Sequence, residues 1–146
     1  MKLLVKRLNP AAKIPTYATD GSGNFDLYAV IDDNKPIIIY PGERAAISVG
    51  LAFEVPPEWM LVVYSRSGHG FKNGVSLSNS VGQVDPDYRG CVMVSLRNDG
   101  EDRFVIRHGD RIAQARLEPA PRVQFVEVEE LSETARGEGG FGSSGQ

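Results

Sequence analysis

The chain has 146 residues, 41% of them apolar and 24% charged, enough to bury one hydrophobic core and too few for a second domain of ordinary size. Sixteen Lys and Arg against nineteen Asp and Glu leave a net charge of −3, which excludes a broad basic field for gripping polymeric nucleic acid, so an anionic ligand has to be held locally. With one cysteine, Cys91, and two histidines, an intrachain disulfide is excluded and a structural zinc centre has too few ligands; the plain reading of Cys91 is a small buried apolar side chain.

Met1 to Arg7 carries charge without an apolar stretch of signal-peptide type, and no apolar run approaches the ~18 residues of a membrane span, so a soluble, cytoplasmic protein is expected. Sixteen glycines and nine prolines then cut the chain into short windows. Residues 3–7, 36–40, 44–49, 60–64 and 75–78 read as strands. Further on, Val92, Val94 and Leu96 alternate with Met93, Ser95 and Arg97, and Phe104 and Ile106 alternate with Arg103, Val105 and Arg107, the period of half-buried strands. Residues 112–117 and 123–128 complete the series. Turn signals at Pro41-Gly42, Asn73-Gly74, Asp99-Gly100 and His108-Gly109 favour an all-β sandwich or jelly roll over a bundle. Helix is expected only as a turn near residues 131–135, and there is no internal repeat.

Chemistry concentrates between residues 64 and 90. Ser65-Arg66-Ser67-Gly68-His69-Gly70 sets a fixed cation, hydroxyls and exposed backbone amides within six residues, an arrangement suited to phosphate oxygens although it is not a Walker loop. Taken alone, such a Ser/Gly segment is more often a structural turn. Gly82-Gln83-Val84-Asp85-Pro86-Asp87-Tyr88-Arg89-Gly90 places two carboxylates around a proline on a hairpin or wide turn. In isolation that is a surface Asx turn; beside a triphosphate a carboxylate is a general base for attacking water. Gly109-Asp110-Arg111-Ile112-Ala113-Gln114 is a turn entering a strand. The last segment, residues 136–146, is rich in glycine and holds Arg136 and Phe141. It cannot build a core, and its composition predicts a mobile tail that settles when something binds, the guanidinium on phosphate and the ring stacked on a base at roughly 1–3 kcal/mol. Gly137 to Gly142 also satisfies a dinucleotide-binding GxGxxG pattern, but the following helix and acidic residue are missing because the sequence ends four residues later.

In this order the segments resemble the five motifs of the trimeric dUTPase family. Asn24-Phe25-Asp26-Leu27-Tyr28-Ala29 looks like the first, residues 65–70 the second, 82–90 the third, 109–114 the fourth and 136–145 the fifth. Two positions depart from the family's pattern: Gly23-Asn24 stands where Ala-Gly is common, and Ser65 where Pro is common. The alternative is the related dCTP deaminase family, which shares the fold and the Ser-Arg-Ser loop. Its catalytic glutamate would fall on Ser95, which cannot do that acid–base work, and it lacks a tail of this kind.

The resemblance implies an all-β, jelly-roll-like β-barrel of the dUTPase or β-clip type over residues 1–135, with residues 136–146 as a mobile tail, assembled as a homotrimer whose sites are shared between subunits. It implies hydrolysis of dUTP to dUMP and pyrophosphate with Mg2+ held mainly by the substrate's phosphates. Asp85 is then the general base. Arg66, Ser67 and Gly68 hold phosphates, Gln114 supports the phosphate and water region, and Asp26 reaches the metal through water or shapes the sugar pocket. Asn79, with the main chain of Gln83, Val84 and Met93, reads uracil; Tyr88 lies under the deoxyribose, Arg136 closes over the far phosphates and Phe141 stacks on the base.

Overall fold

A computed structural model describes residues 1–33 and 35–140. Eleven strands and one short helix are built from them. β1 (Leu4–Arg7) pairs antiparallel with β5 (Leu51–Glu54), and β3 (Ile37–Ile39) with β10 (Phe104–Ile106). A four-stranded sheet runs β2 (Phe25–Tyr28), β11 (Arg111–Pro119), β6 (Trp59–Tyr64), β8 (Gly82–Val84), and a three-stranded sheet β4 (Arg44–Ser48), β9 (Met93–Asn98), β7 (Val75–Leu77). All pairings are antiparallel. The architecture is all-β, as expected, but among the described residues the four sheets stay open and do not close into a barrel.

One core joins the sheets, with Leu27, Ile39, Ile47, Leu51, Leu61, Leu96, Ile106 and Ile112 all nearly inaccessible. The alternation of residues 92–97 is realised on β9, where Val94 and Leu96 are buried and Met93 and Arg97 exposed. Asn98 is fully buried yet satisfied: its amide donates to the carbonyls of Ile39 and Asp102, and its own oxygen accepts from the Gly100 N–H.

Two expectations of local structure are corrected. The helix is α1 (Ser67–Asn73), not a turn near 131–135, where the chain forms only bends and isolated turns. Its glycines give it poor intrinsic propensity, so periodicity did not announce it. Asn73-Gly74 is its C-cap: Gly74 sits at φ +65 and its N–H bonds back to the carbonyls of Gly70 and His69. Residues 123–128 form no strand either. Their composition favours one, but a strand needs a neighbour to take its backbone bonds, and here Phe125 is 92% exposed and Val123 68%.

Candidate functional site

Two clefts hold most of the residues singled out above. The first, of about 260 Å3, lies between β8 and β9 and is lined by Asn79, Gln83, Val84, Asp85, Tyr88 and Met93, with Ser95 and Cys91 beside them. Among the described residues β8 pairs only with β6 and is a sheet edge, so its outer backbone donors and acceptors have no strand partner there. An edge of that kind can read the polar rim of a planar base with main-chain groups. Tyr88 is pinned across the turn, its hydroxyl donating to the Cys91 carbonyl at 2.9 Å. Gly90 leaves room for it: a Cβ there would meet the Tyr88 ring at 2.6 Å. The Asp85 carbonyl accepts the Tyr88 N–H, and no hydrogen bond or ion pair engages the Asp85 carboxylate among the described residues. Cys91 is half-buried rather than a core residue, its Sγ 3.2 Å from the Ser48 hydroxyl.

The second cleft, of about 240 Å3, is polar and lined by Asn24, Asp26, Arg66, Ser67, Gly68, Arg111 and Gln114 among others. Asp26 is nearly buried and holds two guanidinium groups, Arg66 on Oδ1 at 3.2 Å and Arg111 on Oδ2 at 3.3 Å. Two cations against one carboxylate leave a net positive site. Ser67 and Gly68 open α1 with their own amides lacking an intrahelical acceptor, while the His69 and Gly70 amides bond the Arg66 carbonyl. Gln114, on β11 opposite Asp26 of β2, donates to the Ser65 carbonyl at 2.9 Å.

Arg111 was not singled out from the sequence. What delivers it is a register shift between Arg111 and Ala113 on β11. The extra residue lets Ile112 point into the core, 1% exposed, and turns Arg111 to the face that carries Gln114 and Asp26. The available signal was its place between Gly109 and Gln114, but a bulge is invisible to periodicity. Asn24 was likewise missed as a site residue.

Among the described residues, none lines both clefts. Arg136 lines neither; it is exposed on the extended segment after β11, its Nε donating to the Gly139 carbonyl at 2.6 Å. Phe141 lies outside the described residues. As for a metal, the described residues contain no group of three or more His, Cys, Asp or Glu able to cage an ion, and both Asp26 oxygens already carry arginines. The donor set suits only a hard cation brought by its ligand and keeping its waters. Beyond the clefts, Tyr64, Arg116 and Glu118 form a cluster on the same sheet: the Tyr64 hydroxyl and the Arg116 guanidinium both bond the Glu118 carboxylate. These bonds, Tyr64's first, hold Glu118 below the usual carboxylate range; the Glu118 contact raises Tyr64 and, separately, Arg116.

The chain is similar to known proteins along its whole length. A dUTPase family model matches residues 10–145. The deoxyuridine 5'-triphosphate nucleotidohydrolase of Nautilia profundicola is 45% identical over 146 residues, 100% of both chains, and that of Caulobacter vibrioides 47% over 137 residues, 94% of this chain and 88% of the relative. Among solved structures, the Staphylococcus bacteriophage 80alpha dUTPase with dUPNHPP superposes with TM-score 0.89 at 26% identity, covering 99% of each chain. A mutant dUTPase from phage phi11 of S. aureus, described for its coordination of a structural Mg(II) ion, shares the fold with TM-score 0.80 at 20% identity, over 89% of this chain and 98% of its own. The match of the family model over residues 10–145, which spans the segments forming both clefts, and relatives 45–47% identical over most of the chain show that this chain belongs to the dUTPase family.

Proposed function

We propose that the protein hydrolyses dUTP to dUMP and pyrophosphate by attack of water on the α-phosphorus, limiting uracil in DNA and supplying dUMP for thymidylate synthesis. The observation that carries this reading is that the family match covers the segments forming both clefts, with Asp85 in one and Arg66 in the other. Asp85 takes the proton of the attacking water, a role its unengaged carboxylate permits. Arg66, with the Ser67 and Gly68 segment, holds phosphate oxygens, and Arg111 joins it through their shared partner Asp26. Gln114 supports the phosphate and water region. Mg2+ chelated by the triphosphate offsets its charge, and Asp26 faces that ion only through water.

Uracil is read by Asn79 and by the main chain of Gln83, Val84 and Met93. A pocket whose polar groups fit one base edge rejects the wrong edge by about 10^4 to 10^5. Tyr88 under the sugar leaves no space for a ribose hydroxyl. Arg136 and Phe141 close the site, Phe141 by stacking on the base. By the family resemblance the complete site is assembled in a homotrimer, with residues 1–135 as the body and 136–146 as the closing tail of a soluble, cytoplasmic enzyme.

The related deaminase chemistry is disfavoured by the cleft itself: Ser95 occupies the glutamate's position, accepting a hydrogen bond from the Ser78 hydroxyl at 2.7 Å. Pyrophosphate and ammonia release from purified protein with dUTP, dCTP, dTTP and UTP in Mg2+ tests the reading. Pyrophosphate from dUTP alone is expected; ammonia from dCTP would overturn it.

A further inference from the structure

Arg66 and Arg111, the pair that flanks Asp26, also line a neighbouring hollow of about 350 Å3 that Asp26 does not line, together with His69 and Phe104. His69 stands on the first turn of α1, half-buried, its ring edge-on to Phe104 of β10 with centroids 5.1 Å apart. Its Nε2 lies 2.8 Å from the main-chain carbonyl of Arg111 and 3.4 Å from Nη1 of Arg66. A carbonyl only accepts, so the proton of the shorter contact is assigned to Nε2. A guanidinium only donates, so a nitrogen that already carries a proton takes no bond from Arg66, and the longer distance is a packing contact. His69 therefore donates to β11 at the residue where its register shifts, and rests against Arg66 with the same edge.

Two guanidinium groups repel one another, and their convergence on one carboxylate depends on where the two chain segments that carry them are held. Apolar packing does not hold α1, which has no buried residue. Among the described residues, the His69 bond is the one side-chain hydrogen bond from α1 to a strand. We propose that His69 is a positioning residue for the arginine pair: its Nε2–H ties the bulge of β11 to the first turn of α1 and so keeps Arg111 and Arg66 converged on one polyanionic ligand. His69 touches no ligand and acts through the arginines. None of these residues lines the cleft between β8 and β9, so the tether governs the phosphate end of the substrate and leaves the base and sugar end alone. The inference rests on the dUTP reading above.

The test is titration of the non-hydrolysable analogue dUpNHpp in Mg2+ and, separately, of deoxyuridine, which has no phosphate. His69→Leu keeps an apolar side chain beside Phe104 and removes the donor. It is expected to weaken dUpNHpp binding about tenfold and to change deoxyuridine binding by less than about threefold. His69→Gln, which keeps a side-chain N–H donor, should return dUpNHpp affinity to within about threefold of the unsubstituted protein. Unchanged dUpNHpp binding in His69→Leu, an equal loss with both ligands, or no recovery in His69→Gln would each overturn the proposal. A second measurement needs no substitution: nitrogen NMR should find the His69 ring protonated on Nε2, with that resonance shifting on addition of dUpNHpp and not of deoxyuridine. A ring protonated on Nδ1 alone, or an Nε2 resonance indifferent to dUpNHpp, would overturn it equally. Failure of the unsubstituted protein to bind dUpNHpp would sink the dUTP reading as well, an outcome distinct from intact binding that ignores His69.

Discussion

Asp26 and Asp85 illustrate how environment divides labour between like groups. Asp26 is nearly buried and each of its oxygens is paired with a guanidinium group, so it organises cations. The Asp85 carboxylate has no such partner among the described residues and stands in the cleft between β8 and β9. Asp85→Asn preserves its shape and removes the proton acceptor. It is expected to leave dUpNHpp binding within about threefold while lowering kcat by about 10^2-fold or more. Near-normal turnover in a steady-state assay would assign the base to another group.

Small elements acquire their positions from neighbours. α1 is too short and glycine-rich to persist alone, and it ends where Gly74 takes a left-handed conformation packed on the next turn. A Cβ at Gly74 would meet the Gly100 nitrogen at 2.7 Å, so Gly74→Ala should cost about 2 kcal/mol in chemical denaturation, through strain and a displaced loop. Because Arg66, Ser67 and Gly68 lead into this helix, the same variant should also weaken analogue binding. On β6 and β11, the Tyr64–Glu118–Arg116 cluster makes stability depend on pH in two directions. Glu118 is held low, so its contribution is present above the ordinary carboxylate range and is lost as pH falls through its folded value. Tyr64 is held high, so its contribution is present below the ordinary phenol range and is lost as pH rises through its folded value. Glu118→Gln should therefore melt below the unsubstituted protein at neutral pH, with the difference in Tm shrinking towards acid. A constant difference across pH 3 to 7 would show that the cluster contributes no linkage.

At the scale of the whole molecule, the distribution of the site is the informative fact. Asp85 and Arg66 line separate clefts, and the segment after β11 that carries Arg136 has Phe125 and Leu131 almost wholly exposed, a poor arrangement for an isolated chain. The shared sites of the proposed homotrimer would account for both. Two individually inactive proteins, Asp85→Asn and a chain truncated before Arg136, should then recover part of the activity once their subunits exchange. Absence of recovery, with exchange verified by mass spectrometry of the mixed assembly, would count against shared sites.

The order and chemistry of the motifs were determined by the sequence alone, because a glycine-rich tail, a Ser-Arg-Ser loop and an Asp-Pro turn state their chemistry in residue types. Strand periodicity was equally legible where one face is buried, as on β9. Tertiary structure decided what residue types cannot express. β11 reaches Asp26 with Arg111 only because a bulge changes the facing of one residue, and a bulge leaves no mark in local composition. α1 forms against its own propensity, ended by the Gly74 cap that packs on the turn at Asp99 and Gly100. Residues 123–128, strand-like in composition, form no strand without a partner. The bond from His69 to the Arg111 carbonyl joins positions 42 residues apart, and hydrogen-bond direction, which puts the proton on Nε2, exists only once those groups have met in space.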